Sequence, residues 1–179
     1  MPAEKSEIRL PQVLILAYGN LTRGDDGVGW RAADKLRDCL SGEDVKVIQA
    51  HQLTPEMAEA ASHHAAVIFA DATMKGSPGE VRCEPVLLPT APIQFSHQLS
   101  PGAILALCQQ LYGATPKCYS VTMSGANFDH ADNLSEAAAS ALAGFLQEIQ
   151  GLVGHLLSDN ASLAPPEAKT DAVTEAVEP

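Results

Sequence analysis

Residues Val13–Arg31 read VLILAYGNLTRGDDGVGWR, and the rest of the chain is arranged around that stretch. Val13–Ala17 is an unbroken apolar run, short enough to be a strand buried on both faces rather than a helix. Gly19 and Asn20 stop it, because both accept backbone angles that a strand interior forbids. A polar loop leads to Asp25 and Asp26. From Val28 the apolar residues recur at helical spacing, with Val28, Ala32, Ala33, Leu36 and Leu40 on one side. The order strand, glycine turn, acidic pair, helix sets two carboxylates at the carboxyl edge of a central strand, beside a helix N-terminus. Open α/β sheets bind their ligands at that edge.

Working outward, the same punctuation divides the whole chain. Residues 1–11 are polar and read as a flexible leader. Helix one is expected over Asp26–Leu40, closed by Ser41-Gly42. Val45–Ile48 reads as a second strand, and Thr54-Pro55 opens a helix ending near His63. Ala65–Ala70 is a third buried strand, stopping at Asp71. Partial alternation over Glu80–Leu88 suggests an antiparallel arm. Ser100-Pro101 starts a helix with Ile104, Leu105, Cys108 and Leu111 on one face and Gly113 at its end. Lys117–Met123 is a strand. The last helix begins at Asn133 with Glu136 in a capping-box arrangement, and turns Leu142, Phe145, Leu146, Ile149, Val153 and Leu156 inward. From Asp159 the chain carries five acids against one lysine among Ala, Pro and Thr, a composition that cannot offset the entropy of ordering. The expectation is one α/β domain over residues 12–158, with a disordered acidic tail over 159–179. Its architecture is a three-layer sandwich: a mostly parallel twisted sheet, helices on both faces and an antiparallel edge strand.

Composition narrows the function. The chain of 179 residues is 46% hydrophobic and 18% charged, with a formal net charge of −11. That balance argues against nucleic acid or an anionic membrane as partner and leaves room for a metal ion or a cationic peptide. Four scattered cysteines with no CxxC pair fit reduced, mostly buried thiols. The N-terminus is too polar for a secretory signal and no apolar run approaches spanning length, so the cytoplasm is the expected compartment. HExxH, GxSxG, P-loop and kinase signatures are absent, and the first turn lacks the GxGxxG order of a dinucleotide site.

Three groups of residues could carry chemistry. Asp25 and Asp26 have two readings. One of them can cap helix one, favoured by its dipole. Two adjacent acids repel, however, so the second wants a counter-charge or metal. Asp71 either caps the turn after its strand or serves a site at the strand's end. His97, in PIQFSHQLSPG, is either a packing residue or a third ligand. Asp, Asp and His with open positions would suit zinc or nickel, and spacing does not choose between them. His63-His64 is a weaker candidate, because adjacent helical residues do not share a face.

GNLTRGDDGVG after an apolar strand, Asp71 ending a later strand, and SHQLSPG before a helix together resemble the hydrogenase maturation endopeptidases over roughly residues 12–157. Those proteases trim the C-terminal extension from the large subunit of nickel–iron hydrogenases. By position, the resemblance puts the family's metal ligands on Asp26, Asp71 and His97, with Asn20 and Asp25 supporting. The first ligand in that family is glutamate or aspartate, so Asp26 is an acceptable form. Ala17 departs from the family, many of whose members have glycine there. The resemblance implies an α/β sandwich, and the chain is expected to be a monomer. Its substrate would be a hydrogenase large-subunit precursor carrying the nickel, which zinc or another divalent ion could replace. The metal would polarise the scissile carbonyl and activate a water. The rival reading is a non-catalytic, metal-binding accessory or chaperone factor for a metalloenzyme.

Overall fold

The computed structural model describes residues 12–40, 42, 44–90 and 99–162. The leader 1–11, Ser41, His97 and the tail beyond 162 lie outside the described residues. Five strands form one sheet in the order β2-β1-β3-β5-β4, with β1 Val13–Tyr18, β2 Val45–Ala50, β3 Ala66–Thr73, β4 Val81–Pro85 and β5 Lys117–Ser124. All neighbours are parallel except β4, which runs antiparallel to β5 at the edge. Helices α1 Val28–Cys39 and α4 Glu136–Ser162 cover one face, while α2 Met57–Ser62 and α3 Pro101–Tyr112 cover the other. The three-layer sandwich and its antiparallel edge are as the sequence indicated.

β1 shows why a continuous apolar run was needed. Val13, Ile15 and Ala17 join the core under α1 and α4, whereas Leu14 and Leu16 point into the core under α2 and α3. All five are at most 1% exposed, and complete burial of a large aliphatic side chain is worth about 1.5–3 kcal/mol. The strand thus serves two cores at once, which only a central position allows.

Several boundaries differ from expectation, each for a physical reason. α1 begins at Val28, because Gly24–Gly27 forms a separate 3-10 turn ahead of it. β2 extends to Ala50, since β1 offers it a parallel partner as far as Tyr18. β3 continues through Asp71 to Thr73, held by register with Thr122 and Ser124 of β5. Leu111 is 63% exposed, turned away from the face that Ile104, Leu105 and Cys108 bury. α4 is capped by Ser135, whose Oγ accepts the Ala138 N–H at 3.2 Å, in place of a box built on Asn133. The helix also runs to Ser162, into the segment expected to be tail, with Lys117 Nζ 3.8 Å from Asp159 Oδ2. Of the cysteines, Cys108 and Cys118 are buried and Cys39 is exposed; all four are free thiols. Among the described residues no helix is long and apolar enough to cross a membrane.

Candidate functional site

The strand order places β1 between β2 and β3, so the chain reverses its direction of travel across the sheet at the carboxyl ends of β1 and β3. This is the switch point at which open α/β sheets form a crevice. A cleft of about 350 Å³ opens there. Tyr18 and Gly19 from the end of β1, Asp26 from the following turn and Asp71 from β3 line it, facing Ser100 and Pro101 at the N-terminus of α3. Leu14, Leu16 and Tyr18 alternate onto the α2–α3 side of the sheet, as do Val67 and Phe69, which gives Tyr18 and Asp71 the same face.

The turn that carries Asp26 is held by its backbone. Asn20 N–H donates to Asp26 Oδ2 at 3.0 Å, and Asn20 Oδ1 accepts from Thr22 N–H at 2.9 Å and Thr22 Oγ1 at 2.8 Å. Gly19 has φ +134°, and a Cβ there would drive into the Asp26 carbonyl. Gly29 is equally constrained, because its Cβ would come 2.5 Å from Tyr18 O and 2.8 Å from Ala70 O. α1 therefore starts directly against the ends of β1 and β3, which is what the glycines of this turn permit.

Asp25 has a role the sequence did not disclose. It caps no residue of α1, whose N-cap is Gly27. Its carboxylate, on a residue only 1% exposed, accepts from Ala126 N at 2.7 Å, Asn127 N at 3.0 Å, Ser135 N at 2.7 Å and Ser135 Oγ at 2.8 Å. Burial alone would raise its pKa, but these hydrogen bonds prevail and hold it below the ordinary carboxylate value. Asp25 thus fastens the turn after β1 to the start of α4 and faces away from the cleft chemistry.

Asp71 is the opposite case. Burial pushes its carboxyl up to about 7, and the nearby Asp26 charge adds to the rise, against hydrogen bonds from Ala72 N–H at 2.7 Å and from the Tyr18 hydroxyl. The Tyr18 phenol is itself shifted upward by burial and by the Asp71 charge. Among the described residues that line the cleft there is no lysine or arginine, and two carboxylates in that setting favour a positive ion.

Of the residues expected to act together, Asp26 and Asp71 share the cleft, and the Asn20 backbone N–H holds the Asp26 carboxylate. His97 lies outside the described residues, between Thr90 and Leu99, and Leu99 lines the cleft. Among the described residues no three His, Cys, Asp or Glu are gathered closely enough to hold a metal ion. His63 and His64 precede β3, at the opposite edge of the sheet; His64 is buried and bonds Ala60 O through Nδ1 at 2.7 Å. They play no part in the cleft.

Two cleft residues escaped the sequence reading. Tyr18 looked like the last residue of an apolar strand. His51 follows β2, and ending that strand at Ile48 left it in an ordinary loop. The structure stacks the His51 ring against Trp30, centroids 5.2 Å apart and planes inclined at 43°. Trp30 is fixed in turn: its indole N–H donates to Gly19 O at 2.8 Å and Ala50 O at 2.9 Å. Trp30→Phe, which keeps the apolar ring but removes that donor, should cost about 1–2 kcal/mol. Thermal unfolding would register this as a fall in Tm of roughly 2–8 °C, and an unchanged Tm would show that the lock carries no stability.

No protein-family model and no curated protein matches the chain. Solved structures do. The chain is similar to the hydrogenase maturating endopeptidase HybD from E. coli, with a TM-score of 0.68 and 19% identity over 80% of this chain and 93% of that one. It is also similar to the nickel–iron hydrogenase maturation protease HycI from Thermococcus kodakarensis KOD1, with a TM-score of 0.62 and 19% identity over 82% and 92% of the two chains. The HybD protease from Thermococcus kodakarensis gives a TM-score of 0.61 and 20% identity over 79% and 98%. At such identities the likeness shows the fold: this chain has the fold of the hydrogenase maturation endopeptidases.

Proposed function

We propose that the chain is an endopeptidase that removes the C-terminal extension of a nickel-loaded hydrogenase large-subunit precursor. The observation that carries this reading is the pairing of Asp26 and Asp71 in one cleft at the sheet's switch point, with the Asp71 carboxyl pushed up to about 7 by burial and by the Asp26 charge. The fold shared with hydrogenase maturation proteases adds to it. Nickel belongs here to the substrate. Asp26, Asp71 and, from its sequence motif, His97 would receive it, and the ion would polarise the scissile carbonyl toward water. Tyr18 orients the Asp71 carboxylate through its hydroxyl, and the turn of Gly19 and Asn20 fixes Asp26. The reading carries with it the expectation of a cytoplasmic monomer.

Incubation of the purified protein with nickel-loaded precursor is the test. A C-terminal peptide should be released, visible as a mobility shift and by mass, and nickel-free precursor should stay intact. Binding of the precursor without release would instead favour the accessory-factor reading. His97→Ala should lose release, whereas His63→Ala, exposed at the far edge of the sheet, should keep it. Full release by His97→Ala would remove that residue from the site.

A further inference from the structure

We infer that His51 is a catalytic residue of the same cleft, acting on the peptide rather than on the metal as the proton donor to the leaving nitrogen. This inference rests on the endopeptidase reading above and deepens it. His51 lines the cleft together with Asp26 and Asp71, so a peptide seated at the two carboxylates shares the cleft with the imidazole. His51, Asp26 and Asp71 are nevertheless not gathered as a metal-holding group. The imidazole is therefore assigned to the peptide and not to the ion.

Its placement is built. Gly19 N–H donates to Ala50 O at 3.1 Å, and the Trp30 indole bridges Gly19 O and Ala50 O, which ties the end of β1 to the end of β2. His51 is the next residue after that tie, and its ring rests on Trp30. The glycine turn that positions Asp26 thus also sets the backbone from which His51 projects. Histidine is the side chain whose charge changes between about pH 5 and 8 and the most frequent general acid.

The step is a balanced hydrolysis. A water oxygen bonds to the carbonyl carbon and gives up a proton to solvent. The C–N bond breaks as its electron pair takes the proton of the His51 imidazolium, and solvent then reprotonates the ring. An amide poorly expels an unprotonated nitrogen, so a proton donor at this position acts on the rate and little on binding.

The experiment measures kcat and KM for peptide release from nickel-loaded precursor by wild-type protein, His51→Gln, His51→Ala and Asp71→Asn, with circular dichroism on each. Loss of a general acid is expected to lower kcat by about 10²–10⁴-fold. KM should stay within about threefold, and added imidazole should restore part of the rate to His51→Ala but none to Asp71→Asn. An unchanged kcat in His51→Gln, or a rise in KM alone, overturns the inference while leaving the endopeptidase reading intact. A wild-type protein that releases no peptide overturns both, and is seen before any variant is compared.

Discussion

Asp71→Asn is expected to lower kcat/KM for peptide release by at least about 100-fold while leaving the protein folded. Residues that merely support a metal ligand cost about 10–100-fold when removed, so loss of a ligand should exceed that; a hundredfold corresponds to about 2.7 kcal/mol of transition-state stabilisation. The amide keeps the shape of the carboxylate and can still accept the Ala72 N–H and the Tyr18 hydroxyl. Stability should move the other way. In the folded chain Asp71 holds its proton up to about pH 7, against an ordinary carboxylate value of 3.8. Between those values the native state binds more protons than the unfolded one, so this group's contribution falls as pH rises through the window. Urea midpoints for Asp71→Asn, relative to wild type, should therefore be higher at about pH 8 than at about pH 5. A variant that still releases the peptide at the wild-type rate would dismiss Asp71 from the site; a pH-independent difference in midpoint would dismiss its buried charge.

Asp25→Ala is expected to be the most destabilising change near the site, at about 3–5 kcal/mol, the cost of breaking a buried charged network from one side. Four donors, from Ala126, Asn127 and Ser135, lose their acceptor at once. Buried donors left unmatched carry their full desolvation penalty. Tm should fall by roughly 10 °C or more. Asp25→Asn should lose less, since its amide oxygen still accepts. The pH signature is opposite to that of Asp71. Asp25's folded pKa is depressed, so its contribution is complete above the ordinary carboxylate value and is lost as pH falls through the folded value. Wild-type protein should consequently lose stability on acidification more steeply than Asp25→Asn. If Asp25→Ala melts like wild type, the junction between the first turn and α4 is held by something else.

The two adjacent aspartates show how far local sequence carries. Their position after a buried strand, and their mutual repulsion, indicated that one would serve the structure and left the second between a counter-charge and a metal. Assigning the roles required residues 101 to 110 positions away, because Asp25's partners come from the loop after β5 and the start of α4. Nothing within a turn or two of Asp25 encodes those donors. His51 and Trp30 pose the same problem, since the tie between them exists only once β1 and β2 lie side by side.

By itself the sequence determined the layers and the edge. Short continuous apolar runs bounded by glycine and acid, too brief for helices, read as strands buried on both faces. Helical spacing between them demands crossovers, and crossovers between parallel strands put helices on both faces of the sheet. Asp71 stood out because it ends such a run, and Asp26 because it lies in the turn that follows one. Tertiary structure alone decided that these two ends adjoin, that burial raises the Asp71 carboxyl against the Tyr18 hydrogen bond, and that His51 shares their cleft. Those facts depend on strand order and on desolvation, which arise from contacts between distant segments and leave no periodic trace in the chain.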